Sequence, residues 1–269
     1  MYEDYWGLKE LPFENTPNPR YFYASERHQE ALSRLQYVVR ERKACGVLSG
    51  VYGCGKTLIL SSLRKSLEPE GCRFAVVNNP RLDDLGMLRI VLRGLAGQEV
   101  PSDKADVLMA LQDYIEAVAQ DGKHTVVAVD EAHAIVSNDV FEELRLLLNF
   151  QTESRSLVTL LLVGQPELQP RIEANKQLNQ RVNLHFHIDA FNAKDTAGYV
   201  KHRLETAGRR PDGVFSDEAV ELLHRHSGGI PRWLNHFCHM SLLAAYTKGA
   251  KLVTPEIAEE AVQSVKGSV

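Results

Sequence analysis

The chain has 269 residues, 44% of them hydrophobic and 25% charged, and a net charge of −4. This is the profile of an ordinary soluble globular protein with core enough for one large domain or two modest ones. The acidic balance excludes a global pull towards nucleic acid or anionic lipid and leaves only a local basic patch for either. The longest apolar run, Leu157 to Val163, is far below the ~20 residues of a membrane span. No charged start leads into an apolar stretch at the N-terminus, so no signal peptide is expected. Cysteines 45, 54, 72 and 238 lack any CxxC spacing, which points to reduced thiols and a cytoplasmic location rather than to zinc or redox pairs.

The first 24 residues are rich in aromatics and proline, including Trp6, Phe13, Pro17, Pro19 and Tyr21. They predict an extended strap, either packed over the body or forming a wall of an adenine pocket. Ser25 suits a helix N-cap, and Ala31, Leu32, Leu35 and Val39 recur at helical spacing to about Arg42. A short apolar run, Cys45 to Ser49, precedes Gly50-Val51-Tyr52-Gly53-Cys54-Gly55-Lys56-Thr57, and Leu58 continues into a helical pattern. Strand, glycine-rich turn and helix are the context in which such a motif binds phosphate. Glycines 50, 53 and 55 let several N–H groups converge on one anion, and the helix adds the positive end of its dipole. Lys56 can reach the β- and γ-phosphates, and the Thr57 hydroxyl can ligate Mg²⁺. Residues 50–58 therefore predict binding of a nucleoside triphosphate.

Cys72 to Asn78 reads as the next strand, and Leu82, Leu85, Leu88, Leu92 and Leu95 as a helix stripe. After the loop Gly97–Ser102 a second helix is expected to bury Val107, Leu108, Leu111, Ile115 and Val118. Thr125 to Val129 is a β-branched run ending in Asp130-Glu131; Phe141 to Leu148 is helical; Leu157 to Val163 and Val182 to Ile188 are strands. Strands separated by helices indicate βαβ units and a parallel sheet, hence an α/β fold. From Asn192 only helices follow, starting at Asn192, Ser216, Pro231 and Thr254-Pro255. The expected division is a strap (1–24), an α/β domain (25–190) and an all-helical domain (191–269).

A carboxylate at the carboxyl end of a parallel strand shares a sheet edge with the phosphate loop. Asp130 would then hold Mg²⁺, and Glu131 would act as general base towards the attacking water. Gln165, after Leu-Leu-Val-Gly, can hydrogen-bond the γ-phosphate or that water. Asn78 or Asn79 can pair with Glu131 and gate it. Arg181 and Arg232 are the type of residue a phosphoryl-transfer site recruits, although spacing alone places neither there. The pairs His185/His187, His224/His226 and His236/His239 lack a third ligand at recognisable spacing, so zinc is not expected. Asp130-Glu131-Ala132-His133 matches the box of DEAH helicases, but those need two tandem motor domains, and the helical second domain does not supply one.

Trp6-Gly7-Leu8, Thr16-Pro17-Asn18-Pro19-Arg20, Ser25 to Leu32, Val163 to Leu168, Leu178 to Val182 and Gly229-Ile230-Pro231-Arg232 occur in one order along nearly the whole chain. Together they resemble the AAA+ ATPases of the general secretion pathway protein A (ExeA/GspA-like) family. The resemblance implies a three-layer αβα nucleotide-binding domain followed by a helical lid, with ATP and Mg²⁺ as ligands. It implies sensor 1 for Gln165, an arginine finger given in trans for Arg181, sensor 2 for Arg232, and an adenine border around Tyr21 to His28. It implies a homo-oligomer, ring or filament, with nucleotide at subunit interfaces and envelope machinery as partner. Long members continue into a membrane span and a peptidoglycan-binding region, whereas this sequence ends at Val269, so peptidoglycan binding is not carried over. The module is also similar to transposition regulators of the TniB/TnsC and MuB type, which form filaments on DNA. In that reading Arg81, Arg89 and Arg93 would contact DNA; otherwise they are the solvated face opposite the leucine stripe.

Overall fold

The computed structural model describes residues 2–97, 99–153 and 155–267; Gln98, in the expected loop 97–102, lies outside them. Five runs of small and branched apolar residues form strands β1 (Cys45–Gly50), β2 (Cys72–Val77), β3 (His124–Val129), β4 (Val158–Gly164) and β5 (Val182–Ile188). They pair in the order β2-β3-β4-β1-β5, every pair parallel. Strands β1, β3 and β4 are buried along their whole length, which is why they read as mainly apolar runs without alternation. At the sheet edge β5 exposes Asn183, His185 and His187 and keeps Phe186 and Ile188 inside, so it alternates. One compact unit holds this sheet and comprises Gln29–Val51 and Ile59–Ile188. Its core packs Met87, Leu88, Leu111, Ile115 and Phe141 from the helices against Val127 and Leu160 of the strands.

The other unit gathers Met1–His28, Tyr52–Leu58 and Asp189–Val269. Its main helices are Ala193–Thr206, Asp217–Ser227, Pro231–Thr247 and Pro255–Lys266. Asn192 and Ser216 cap the first two through backbone N–H groups three residues on, and proline opens the other two. The N-terminal aromatics belong to this core: Trp6 Nε1 donates to the Leu242 carbonyl at 3.2 Å. The buried Arg203 guanidinium donates to the carbonyls of Pro12 and Glu14 and lies 4.3 Å over the Tyr21 ring. The segment is not extended throughout, as the prolines suggested. Glu3–Trp6 forms a helical turn closed by Gly7 at φ +64°, and Pro19–Tyr21 is a 3₁₀ turn. The reason is positional. Pro12 is the first proline of the chain, so nothing restrains residues 3–6, and proline suits the first position of a helical turn.

His124, at the start of β3, is buried, and its Nε2 donates to Thr159 Oγ1 at 2.8 Å while that hydroxyl donates to the Lys43 carbonyl at 2.7 Å. Burial, aided by Arg42 and Arg155, pushes its pKa from the ordinary 6.5 to about 4. Between those values the unfolded chain binds a proton that the native chain refuses, so stability is complete above pH 6.5 and is lost as pH falls towards 4. The loss should approach about 3 kcal/mol, at 1.36 kcal/mol per pKa unit. Urea unfolding at pH 7 and pH 4.5 checks this: His124→Gln, which keeps a donor for Thr159, should show a shallower fall than the wild type.

Candidate functional site

Residues 52–58, the glycine-rich loop, adopt backbone angles open only to glycine at two places: Gly53 at φ +82° and Gly55 at φ +96°. Space is also short there. A Cβ on Gly53 would stand 2.9 Å from Arg232 Cβ, and one on Gly55 would stand 3.4 Å from His28 Nε2. The helix Lys56–Leu67 begins at the loop's end, so Lys56, Thr57 and Leu58 occupy its first turn. Lys56 is buried, with Nζ 3.9 Å from Cys54 Sγ.

Two residues support the loop within its own unit. His28 Nε2 donates to the Cys54 carbonyl at 2.8 Å, and His28 Nδ1 accepts from the Ser25 hydroxyl at 2.8 Å. The bond from Ser25 needs a neutral ring, whose Nδ1 can accept, and burial holds the His28 pKa below its usual value. Arg232, in the first turn of Pro231–Thr247, gives its backbone N–H to the Gly53 carbonyl at 3.3 Å. Its guanidinium lies 4.3 Å over the Tyr52 ring and hydrogen-bonds the Tyr52 hydroxyl.

In the sheet unit, parallel pairing puts the carboxyl ends of all five strands on one edge. The chain arrives there at Gly50 on β1 and continues into Val51. Asp130 follows β3, buried, and its N–H bonds the Val77 carbonyl of β2 at 2.8 Å. Asp130 Oδ1 accepts the N–H of Glu131 at 2.9 Å. Glu131 itself has φ +52° and ψ +34°, a left-handed conformation that costs a side-chain-bearing residue about 1–2 kcal/mol. Such strain persists only where its surroundings enforce it. Gln165 follows β4, and the intervening Gly164 is needed for close approach, because a Cβ would meet the His133 nitrogen at 3.2 Å and Leu168 Cδ2 at 3.0 Å.

His133 stands between Glu131 and Gln165. Its Nε2 is 3.5 Å from Glu131 Oε2 and 3.0 Å from the Gln165 side-chain amide, and its Nδ1 is 3.3 Å from the Gln165 backbone nitrogen. Arg171 holds the same turn by donating to the carbonyls of His133 and Ile135, with its guanidinium 5.1 Å over Phe141. Asn79 instead accepts from the Arg81 N–H at 3.4 Å, and Asn78 is exposed; the residue that meets Glu131 is His133. Sequence reasoning named His28 in the expected adenine border and His133 in the Asp-Glu-Ala-His run, and missed the contacts each makes here. The only local signals were Ser25 three residues before His28 and the histidine two residues after Glu131.

Arg181 lies elsewhere. It precedes β5, at the amino ends of the parallel strands, with Nη2 3.3 Å from Asn149 Oδ1. Seven residues of β5 put about 20 Å between Arg181 and the edge that carries Asp130 and Gln165. Arg89 and Arg93 are exposed and line an open groove that also holds Glu99.

A parallel sheet in this order, a glycine-rich phosphate-loop motif after β1, an acidic pair after β3 and a polar residue after β4 define a P-loop nucleotide-binding fold of the AAA+ class. The "AAA domain" family matches residues 39–172, and that part of the chain belongs to it. It is 37% identical over 264 residues to General secretion pathway protein A of Aeromonas hydrophila, covering 96% of this chain and 47% of that protein. It therefore spans about half the length of the curated relative it matches. Among solved structures, ORC2 of Aeropyrum pernix with ADPNP and ADP aligns at a TM-score of 0.73 and 19% identity over 95% of this chain and 71% of its own. Cdc6p of Pyrobaculum aerophilum aligns at 0.71 and 15% identity over 94% and 70%. Both likenesses concern the fold. Among the described residues no helix is long and apolar enough to cross a membrane.

Proposed function

We propose that the chain binds and hydrolyses ATP with Mg²⁺ and, as a homo-oligomer, drives assembly of a secretion- or pilus-type envelope machine. One observation carries the ATPase reading: Gly50, Asp130 and Gln165 leave the neighbouring strands β1, β3 and β4 at one sheet edge, the edge where such folds place ligands. The relative's name supports the envelope role, and the nucleotides in the ORC2 structure support adenine as the base.

Backbone N–H groups of residues 50–58 cradle the phosphates, and Lys56 offsets their charge. The Asp130 carboxylate and the Thr57 hydroxyl are hard oxygen donors of the kind Mg²⁺ takes. Bound there, the ion would neutralise charge on the β- and γ-phosphate oxygens. Glu131 accepts a proton from water as that water attacks the γ-phosphorus in line, and the bond to the ADP oxygen breaks. Gln165 orients the water or the γ-phosphate, Arg232 contacts the phosphates, and Arg181 is supplied to a neighbouring subunit's nucleotide.

Lys56→Ala tests both halves of the proposal. Purified, the variant should lose ATP binding and turnover, measured by nucleotide-analogue fluorescence and phosphate release; unchanged binding would remove the phosphate-loop assignment. Expressed in its own host in place of the wild type, it should leave exported protein inside the cell or pili unassembled. Normal export with turnover abolished would retain the ATPase and remove the envelope role.

A further inference from the structure

We propose that His133 is a positioning residue of the hydrolysis site: held as the Nε2–H tautomer, it orients the Gln165 amide and the Glu131 carboxylate together. This rests on the ATPase reading above. A backbone N–H can only donate, and the Gln165 N–H faces His133 Nδ1 at 3.3 Å. Nδ1 must therefore be the ring's acceptor, which leaves the single proton of the neutral imidazole on Nε2.

From that assignment the rest follows by donor and acceptor matching. His133 Nε2–H stands 3.0 Å from the Gln165 side-chain amide, and two N–H donors cannot share that space. The amide must turn its oxygen to His133, so its NH₂ group is the end left to bond other groups. A phosphate oxygen or a water lone pair needs such a donor. The same Nε2 is 3.5 Å from Glu131 Oε2, so the N–H end of the ring also faces the proposed base. One ring thus links the two groups that must agree on the position of a single water, and a small misplacement of either is costly.

The backbone that carries the ring is held as well. The His133 carbonyl accepts from Arg171 Nη1 at 2.7 Å. Gly164 leaves room for the backbone of the same turn, since a Cβ there would stand 3.2 Å from the His133 nitrogen. Ala132 is fully buried beside it. A histidine retained only to fill space would not need its tautomer set by one partner and its N–H end turned towards two others.

Three variants and one spectrum decide the matter. In His133→Ala the turnover number should fall about 10- to 100-fold, as when an outer partner of a reacting group is removed. Affinity for a fluorescent ADP analogue should stay within about 2-fold, because that ring touches neither loop nor phosphate in this reading. His133→Gln places an N–H near the Nε2 position and should restore most of the rate. His133→Asn keeps an acceptor near Nδ1 without that donor and should not. Equal rates in Ala and wild type, or rescue by Asn and not by Gln, would overturn the proposal. If the wild type itself shows no turnover, the ATPase reading falls instead. Nitrogen-15 correlation spectra of the histidine rings still test the geometry in that event: a protonated Nδ1 on His133 would refute it, and an Nε2–H ring is the expected result.

Discussion

Glu131→Gln should lower ATP turnover by about 100-fold or more, the usual contribution of a positioned general base, while nucleotide affinity is unchanged. Gln keeps the length and shape of the side chain and removes its ability to take a proton from water. The comparison is sharpened by the backbone. Glu131 has φ +52° without being glycine, which costs about 1–2 kcal/mol. Glu131→Gly should relieve that cost, less the extra freedom glycine has in the unfolded chain, for a net gain of about 0.5–1 kcal/mol. It should abolish turnover as fully as Gln does. A variant that is more stable and inactive is the signature of strain held for chemistry. Urea midpoints and phosphate-release rates on the two variants give both numbers. Unchanged turnover in Gln would remove Glu131 as the base, and a destabilised Gly variant would mean that the side chain, not the backbone, dominates the local energy.

The strands were legible because burial writes itself into composition. β3 and β4 are covered on both faces and appear as runs of valine and leucine, and β5 at the edge appears as alternation. The glycine-rich loop was legible because φ values of +82° and +96° select one residue type. The acidic pair and Gln165 were legible as polar residues that end apolar runs. The supporting shell was not. His133 meets Gln165 across 32 positions of sequence and His28 meets Cys54 across 26, and no periodicity encodes a pairing between one residue on a turn or helix and another on a loop. Nor does a glutamate announce a left-handed backbone, which here accompanies the bond from its N–H to Asp130 Oδ1 and the 3₁₀ turn Ala132–Ala134 that follows. The start of the chain misled for a related reason: proline restricts its own residue and its predecessor, which leaves residues 3–6 free to coil.

Mixing two inactive variants should restore activity. Arg181 opens β5 at the amino ends of the strands, and the seven residues of β5 separate it by about 20 Å from the edge that carries Asp130 and Gln165. An arginine side chain spans a third of that distance, so Arg181 does not reach the hydrolysis edge of its own sheet. A head-to-tail assembly solves the geometry, because a heterologous interface brings the amino-end face of one protomer to a different face of the next. Arg181→Ala alone should lose about 1,000-fold or more in turnover with ATP still bound, as arginine fingers do. Lys56→Ala alone should lose binding. Co-expressed in equal amounts, a protomer with an intact phosphate loop will sit beside one with an intact arginine at about one interface in four, which sets the expected rate at about a quarter of wild type. Such recovery cannot come from two sites that are each complete within one chain. Mixed oligomers that contain both variants and remain inactive would place the function of Arg181 in its own subunit, where the Asn149 contact, not a neighbour's phosphate, would be its purpose.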